Sequence, residues 1–581
     1  MELREEKECI KLKQVHKSLP LKKLIFAGLL FAFTLIISSI FMILYPFASK
    51  EKVSYFKGEH PILFMGKQAG NAYIEGESIY LPLTFLQEFV DEGIILDEHS
   101  QSIIIATKNK VVQMPLESLS YYVNDKPMKL DFTAAKQIGK DRYLAIEPLL
   151  AFYPITYSIL SDTGAIWVHK DGESMVSGKV KEKDIHEELL RLRTKDSLES
   201  PYTASVSPNE EVLVEQEKGD YYFIRKEDGT AGYLKKQYIK KGENKQIAIS
   251  LEESAYTVPE LEGPIQLTWE AVYTKNPNTS KIPKMPGINV ISPTWFELAD
   301  GKGSIKNLGS KEYSMWARKQ GYQIWGLFSN AFDPDLTHEA FGSFESRKNM
   351  IRQLMHFSQM YELNGVNLDI ENVNPEDGPL ITQFVREATP YFHEAGLVVS
   401  MDITFISSSG NWSAFYERDK LAGIADYLVV MAYDEHWGSS QVAGSVASLP
   451  WVEENLKHLL EIVPNEKLIL GVPLYTRLWE QKSNGDVSSK ALSMSKVKEW
   501  LSQNNVTPVY DPESGQNYAE HFSEKDKITY KVWLEDELSL TKRTELAKKY
   551  NLAGVASWSR YFADETAWAA LTLDNKEVTK K

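Results

Sequence analysis

The chain has 581 residues, 43% of them hydrophobic and 25% charged, with a formal net charge of −15. That length exceeds one ordinary hydrophobic core and predicts about three or four domains. The acidic balance excludes nucleic acid as a partner, and the single cysteine, Cys9, excludes a disulfide framework and a thiolate metal site.

Residues 1–23 form a cytoplasmic basic tail with seven Lys/Arg, ending in Lys22 and Lys23. Residues 24–47, LIFAGLLFAFTLIISSIFMILYPF, follow without a charge. A helix of that length rises roughly 36 Å, enough to cross a lipid bilayer with some tilt. No polar stripe interrupts the run, which argues against a buried core helix. It is longer than the apolar region of a cleavable signal peptide, and Phe47-Ala48-Ser49 is a weak cleavage site. The segment therefore reads as an uncleaved, single-pass transmembrane anchor. Its basic flank keeps the N-terminus in the cytoplasm and places everything after Lys50 outside the cell membrane.

Residues 52–175 contain an internal repeat at an offset of 63. Tyr80-Leu81-Pro82-Leu83 with Leu86 and Phe89 is echoed by Tyr143-Leu144-Ala145-Ile146 with Leu149 and Phe152. Each unit reads as a short strand, a helix and a β pair. The pattern resembles the copper amine oxidase N-terminal-like repeat domain, which implies either a wall-attachment or spacing module or, the favoured reading, a plain structural one. His99 and His169 are isolated, so no metal cluster accompanies it. In residues 188–241, Glu211-Val212-Leu213-Val214, Tyr221-Tyr222-Phe223-Ile224-Arg225, the Asp228-Gly229 turn and Gly232-Tyr233 predict short antiparallel strands. This stretch resembles a bacterial SH3-like domain. Residues 242–262 read as a linker.

From residue 263 to 575 the texture becomes α/β. Apolar strand candidates fall at 288–291, 322–328, 365–371, 398–404, 427–433, 468–475 and 554–557, with helical stretches such as 346–363 and 380–395 between them. This alternation predicts a (β/α)8 TIM barrel. The whole chain is thus multidomain: one transmembrane helix, an α+β repeat domain, a small SH3-like β-barrel and the C-terminal TIM barrel.

One strand breaks the apolar pattern. In Asn364-Gly-Val-Asn-Leu-Asp-Ile-Glu371, the residues Val366, Leu368 and Ile370 share one face, and Asn367, Asp369 and Glu371 the other. Polar side chains in file toward a packed barrel interior cost several kcal/mol unless they pair or do chemistry. An active site is the reading that removes the conflict.

The run resembles the D-x-x-D-x-D-x-E signature of glycoside hydrolase family 18, with Glu371 as its last residue and Asp369 as its last aspartate. Asn364 and Asn367 stand where the family has acids. That departure implies the loss of a carboxylate behind Asp369, and bears on the pH optimum. Met431-Ala-Tyr433-Asp434 matches the family's M-x-Y-D, and Gly471-Val-Pro473-Leu-Tyr475 its G-x-P-x-Y, followed by Arg477. Thr476 stands where glycine is usual. Trp558 falls at the aromatic floor under the reacting sugar. The stretch from Tyr433 through His436 and Trp437 to Trp451 is similar to the spore cortex-lytic N-acetylglucosaminidases. His436 has no ligand partner at suitable spacing and reads as a hydrogen-bonding histidine.

The resemblance implies a glycosidase that uses the substrate's own 2-acetamido group in place of a second catalytic carboxylate. Glu371 is implied as general acid, Asp369 as orienter of the acetamido N–H, and Tyr433 as holder of its carbonyl. Asn367, Met431, Asp434, Tyr475, Arg477 and Trp558 are implied to bind the sugar. No cofactor or metal is required. The expected partner is peptidoglycan or another GlcNAc-containing glycan. Chitin hydrolysis and a non-catalytic sugar-binding role stay open at this point.

Overall fold

The computed structural model describes residues 21–44, 48–182, 184–251, 261 and 263–573. Residues 1–20 of the basic tail, with Cys9, residues 45–47 of the expected anchor, residues 252–260 and 262 of the expected linker, and residues 574 and 575 of the expected barrel lie outside the described residues.

The C-terminal region is a closed parallel barrel. Its eight strands are β1 (Ile265–Glu270), β2 (Val290–Pro293), β3 (Gln323–Ser329), β4 (Gly365–Asp369), β5 (Val398–Ile403), β6 (Tyr427–Met431), β7 (Leu468–Pro473) and β8 (Gly554–Trp558). Each pairs in parallel with its neighbours, and β8 pairs with both β7 and β1 to close the ring. Alternation along the strands divides the core into two layers. Leu267, Trp269, Trp325, Leu327, Val429, Ile469 and Ala556 fill the interior. Ile324, Phe328, Val366, Leu368, Met401, Ile403 and Leu428 face the surrounding helices. Helices Phe344–Tyr361 and Gly378–Glu394 flank β4 in sequence, close to the expected 346–363 and 380–395. They are joined by the buried Arg347–Glu387 pair, whose two bonds measure 2.8 and 2.9 Å.

Between β7 and β8 the chain builds a five-stranded antiparallel sheet with helix Met494–Gln503. Leu478, Val497, Leu501, Ala519, Val532 and Leu534 give it a core of its own. Its first strand, Tyr475–Lys482, starts directly after β7, so Tyr475 and Arg477 stand where the barrel ends and the insertion begins. Thr476 is buried there, and its Oγ1 accepts from the Glu535 amide at 2.8 Å.

The chain divides into two compact units, Met1–Glu77 with Tyr153–Ser250, and Ser78–Phe152 with Leu251–Lys581. In the first, seven strands between Ser174 and Gln246 form one antiparallel sheet over Val180, Leu192, Val212, Ile224 and Leu234. Its last strand, Ile239–Gln246, runs into the stretch read as linker, because those residues pair with Ser174–Val180. In the second unit, Ser78–Pro82 pairs antiparallel with Asp141–Ala145, and Leu81 lies opposite Leu144. These two leucines are repeat equivalents, so the two copies meet about a local two-fold axis. Ile104, Ala106 and Val111 pack on Phe344, and Asp97 Oδ2 accepts from the Phe344 amide at 2.7 Å. An outside carboxylate thereby caps the helix leading to β4, where Ser343 makes no side-chain cap.

Candidate active site

Asp369 ends β4 and Glu371 lies two residues beyond it, at the end where barrel enzymes place their chemistry, with Asn367 at mid-strand below them. Asn367 is fully buried and its amide is fixed by three partners. Its Oδ1 accepts from Trp269 Nε1 at 2.9 Å and Ser292 Oγ at 3.0 Å, while its Nδ2 donates to Asp402 Oδ1 at 2.9 Å. Asp369, one layer higher, is buried, and its Oδ1 has no hydrogen-bond partner among the described residues. Asn364 sits apart from this cluster and accepts from the Ile324 amide at 3.1 Å, a structural role at the start of β4.

Asp402 corrects the expectation that a carboxylate is lost behind Asp369. It is buried on β5, on the same interior-facing register as Ser400, and its side chain holds the Asn367 amide. The signal was present in Val-Val-Ser-Met-Asp-Ile, whose polar Ser400 and Asp402 break the apolar pattern on one face, as in β4.

Glu371 follows β4 by two residues and is partly buried. Its main chain is clamped by Asn330, the residue after β3. Asn330 Oδ1 accepts from the Glu371 amide at 3.0 Å, and its Nδ2 donates to the Glu371 carbonyl at 2.7 Å and to Thr337 Oγ1 at 2.8 Å. Ala331 and Phe332 then turn through left-handed backbone, φ 58° and 55°, and the Phe332 carbonyl accepts from Asn372 Nδ2 at 2.9 Å. Two consecutive non-glycine residues in that region are uncommon and cluster at functional sites. Tyr416 is buried and donates from its hydroxyl to the Ile370 carbonyl at 2.8 Å. Sequence reading missed Asn330 and Tyr416, because their roles depend on chain-distant main-chain atoms.

Electrostatics separates the carboxyls by environment. Burial pushes the Glu371 carboxyl well above the usual carboxylate range, with the charges of Asp369 and Asp434 adding to it. Asp369 is raised well above its ordinary value by burial and then by Asp402, and Asp402 likewise by burial. Burial also raises Tyr433 and Tyr475, which remain neutral phenols. Asp434 is exposed at a left-handed turn (φ 60°), and its Oδ1 accepts from Tyr475 at 2.6 Å and from Arg477 at 2.9 Å. Arg477 also lies 5.3 Å from the Tyr475 ring. Tyr433 stands edge-on to Tyr475, ring centroids 6.4 Å apart.

Trp558 ends β8 and packs on the interior layer, 5.8 Å from the Trp269 ring. Met431 ends β6 in register with Gly471. The eight other singled-out residues, from Asn367 to Trp558, are thus tied to the end of the barrel through β4, β6, β7 and β8. Loops after β1, β3, β5, β6 and β8 add the exposed aromatics Tyr273, Phe332, Trp412, Trp437 and Tyr561 to the same end. His436 Nδ1 lies 2.9 Å from the Ser445 carbonyl, in keeping with a hydrogen-bonding histidine.

Residues 329–563 match the family model described as Glycosyl hydrolases family 18. This chain carries a family 18 glycoside hydrolase domain. Residues 65–145 match a second model, the Copper amine oxidase N-terminal domain. No group of three or more His, Cys, Asp or Glu suited to a metal comes together among the described residues. The chain is 26% identical over 300 residues to "Uncharacterized glycosylase YvbX" of Bacillus subtilis, covering 50% of this chain and 85% of that one. It is 25% identical over 263 residues to the "Cortical fragment-lytic enzyme" of Bacillus subtilis, covering 44% of this chain and 60% of that protein. Among solved structures, the Bacillus megaterium spore cortex-lytic enzyme SleL superposes with a TM-score of 0.49 at 19% identity, covering 57% of this chain and 77% of that one.

Proposed function

We propose that this family 18 enzyme is anchored in the cell membrane and hydrolyses N-acetylglucosamine linkages in cell-wall peptidoglycan, spore cortex included, with retention of configuration. The observation that carries the reading is the placement of the carboxyls. Glu371, kept protonated by burial, stands two residues beyond Asp369, the last residue of β4. Asp434, the exposed carboxylate on β6's loop, is held by Tyr475 and Arg477. An acid beside a buried carboxyl with a free oxygen supports a reaction in which the sugar's own acetamido group attacks, as family 18 membership implies.

In the proposed sequence Glu371 donates its proton to the leaving oxygen. The 2-acetamido oxygen attacks the anomeric carbon, and the oxazolinium ion that forms places its N–H against Asp369, whose buried Oδ1 lacks a protein partner. Tyr433 holds the acetamido oxygen. Water, deprotonated by Glu371, then opens the ring. Trp558 lies under the sugar, and Asn367, Met431, Asp434, Tyr475 and Arg477 shape its surroundings. The exposed aromatics on the surrounding loops supply stacking faces for further sugars.

Wall glycan as substrate is supported by the name of the relative described as a cortical fragment-lytic enzyme and by the preceding β-rich modules. The anchor is supported by helix Leu21–Leu44, whose span Lys22–Phe41 has a mean hydropathy of 2.5 and buries nothing within the protein. The division into a repeat module (52–175), an SH3-like module (188–241), a linker and a barrel from 263 belongs to the same proposal. Removal of the acetamido group tests the mechanism. Oligosaccharides of glucosamine should be cleaved at less than about 1% of the rate of their N-acetylated counterparts, because the nucleophile is missing. Equal rates on both would remove acetamido participation.

A further inference from the structure

Asp402, the neighbour of Asp369, is a buried acid that the reaction sequence above leaves unused. Leu368 and Met401 are paired across β4 and β5, so the next residues, Asp369 and Asp402, lie side by side on the interior face. Adjacent strands are about 4.8 Å apart. Asp402 is 1% exposed and Asp369 7%. The groups facing Asp402 are the Trp269 indole from β1, Asn367 and Asp369 from β4, Glu371 beyond it, Tyr416, and Tyr433 after β6. None of these is a cation. Arg418, which lies near Tyr416, donates to the carbonyls of Thr404, Phe405, Ser413 and Tyr416. Two carboxylates so placed in a dry layer do not both ionise.

The amide between them fixes the direction of the network. Asn367 Oδ1 already accepts from Trp269 and Ser292, so its Nδ2 must point at Asp402. Asp402 therefore accepts through one oxygen, which leaves the other to carry a proton.

We propose that Asp402 is a positioning residue that acts through Asn367 and Asp369, holding as a neutral acid the one proton this pair shares and so leaving Asp369 as the anion that faces the reacting sugar. The proposal rests on the assignment of Glu371 and Asp369 above. No net transfer is involved: the proton stays within the pair while Glu371 alone exchanges one with the glycosidic oxygen and water. The sequence position that holds asparagine on β4 is thus compensated by an acid on β5.

The network predicts that the acid and the amide can be exchanged. In the double variant Asn367→Asp, Asp402→Asn, the new carboxyl still accepts from Trp269 and Ser292 through one oxygen, and the shared proton sits on its other oxygen, donated to the oxygen of the new amide, whose N–H faces Asp369. Every bond keeps a donor and an acceptor, and the number of carboxyls beside Asp369 is unchanged. Activity of the detergent-solubilised full chain is measured on N-acetylglucosamine oligomers. Asp402→Asn, an isostere of the neutral acid, should keep activity within about tenfold. Asn367→Asp alone adds a third carboxyl to the dry layer and should lose more than about 100-fold. The exchange should recover most of that loss, a strong coupling between the two sites.

A second readout does not depend on turnover. In the Glu371→Gln background, which removes that group's own signal, the infrared carboxylic-acid C=O band should be present at pH 7 and vanish on Asp402→Asn. Three results overturn the proposal: an exchange variant no more active than Asn367→Asp or unable to fold, a single Asn367→Asp variant as active as the parent, or a C=O band that survives Asp402→Asn. All three leave the assignment of Glu371 intact. Full activity of Glu371→Gln would instead remove the acid assignment on which the proposal stands.

Discussion

A carboxyl group that must donate a proton near neutral pH has to be kept from losing it beforehand. Glu371 meets that need through burial and the nearby charges of Asp369 and Asp434. The same environment has a cost in stability. Below the ordinary carboxyl range Glu371 is protonated in both folded and unfolded chains. As pH rises, the unfolded chain loses its proton first, so stability falls until the folded group titrates. Glu371→Gln should therefore melt at higher temperature than the parent at pH 7, by about 2–4 °C for each kcal/mol relieved. The difference should close below roughly pH 4, where both forms are neutral. Thermal melts at the two pH values check this, and a variant less stable at pH 7 contradicts it. In the parent, hydrolysis should decline on the alkaline side as Glu371 loses its proton.

At the scale of elements, the acid's position depends on how β3 and β4 are joined. The Asn330 side chain bonds both main-chain groups of Glu371, and Asn372 bonds back to Phe332. Asn330→Ala should lower kcat by up to about 100-fold through displacement of the acid, with KM changed little. A rise in KM at constant kcat would mean that Asn330 serves binding instead. β4 was legible in the sequence because Asn367, Asp369 and Glu371 fall on one face of an otherwise apolar strand. β1 was not. Ile265–Glu270 is buried along its whole length and follows a polar stretch, so it carries neither alternation nor a clear boundary. Asn330 was illegible for a different reason: its partners are backbone atoms 41 residues away. The start of the insertion between β7 and β8 was hidden because its first strand, Tyr475–Lys482, follows β7 after a single residue.

Over the whole molecule, the repeat was readable from an offset alone, and the pairing of Leu81 with Leu144 gives that offset its physical meaning. The apolar segment at the N-terminus was readable from composition, and the described helix Leu21–Leu44 buries none of its Lys22–Phe41 span in the protein. Full-length protein should remain with membranes after washing in high salt, and its barrel should be open to protease added outside wall-stripped cells. A soluble form beginning near Lys50 would mean that the segment is a cleaved signal.

The central claim is that Glu371 drives hydrolysis of wall glycan next to N-acetylglucosamine. Digestion of purified peptidoglycan by the parent and by Glu371→Gln, with reducing ends identified by mass spectrometry, tests it most directly. The parent should release strands ending in N-acetylglucosamine, and Glu371→Gln should release them about 100- to 10,000-fold more slowly. Equal release by both proteins, or strands ending only in N-acetylmuramic acid, would contradict it.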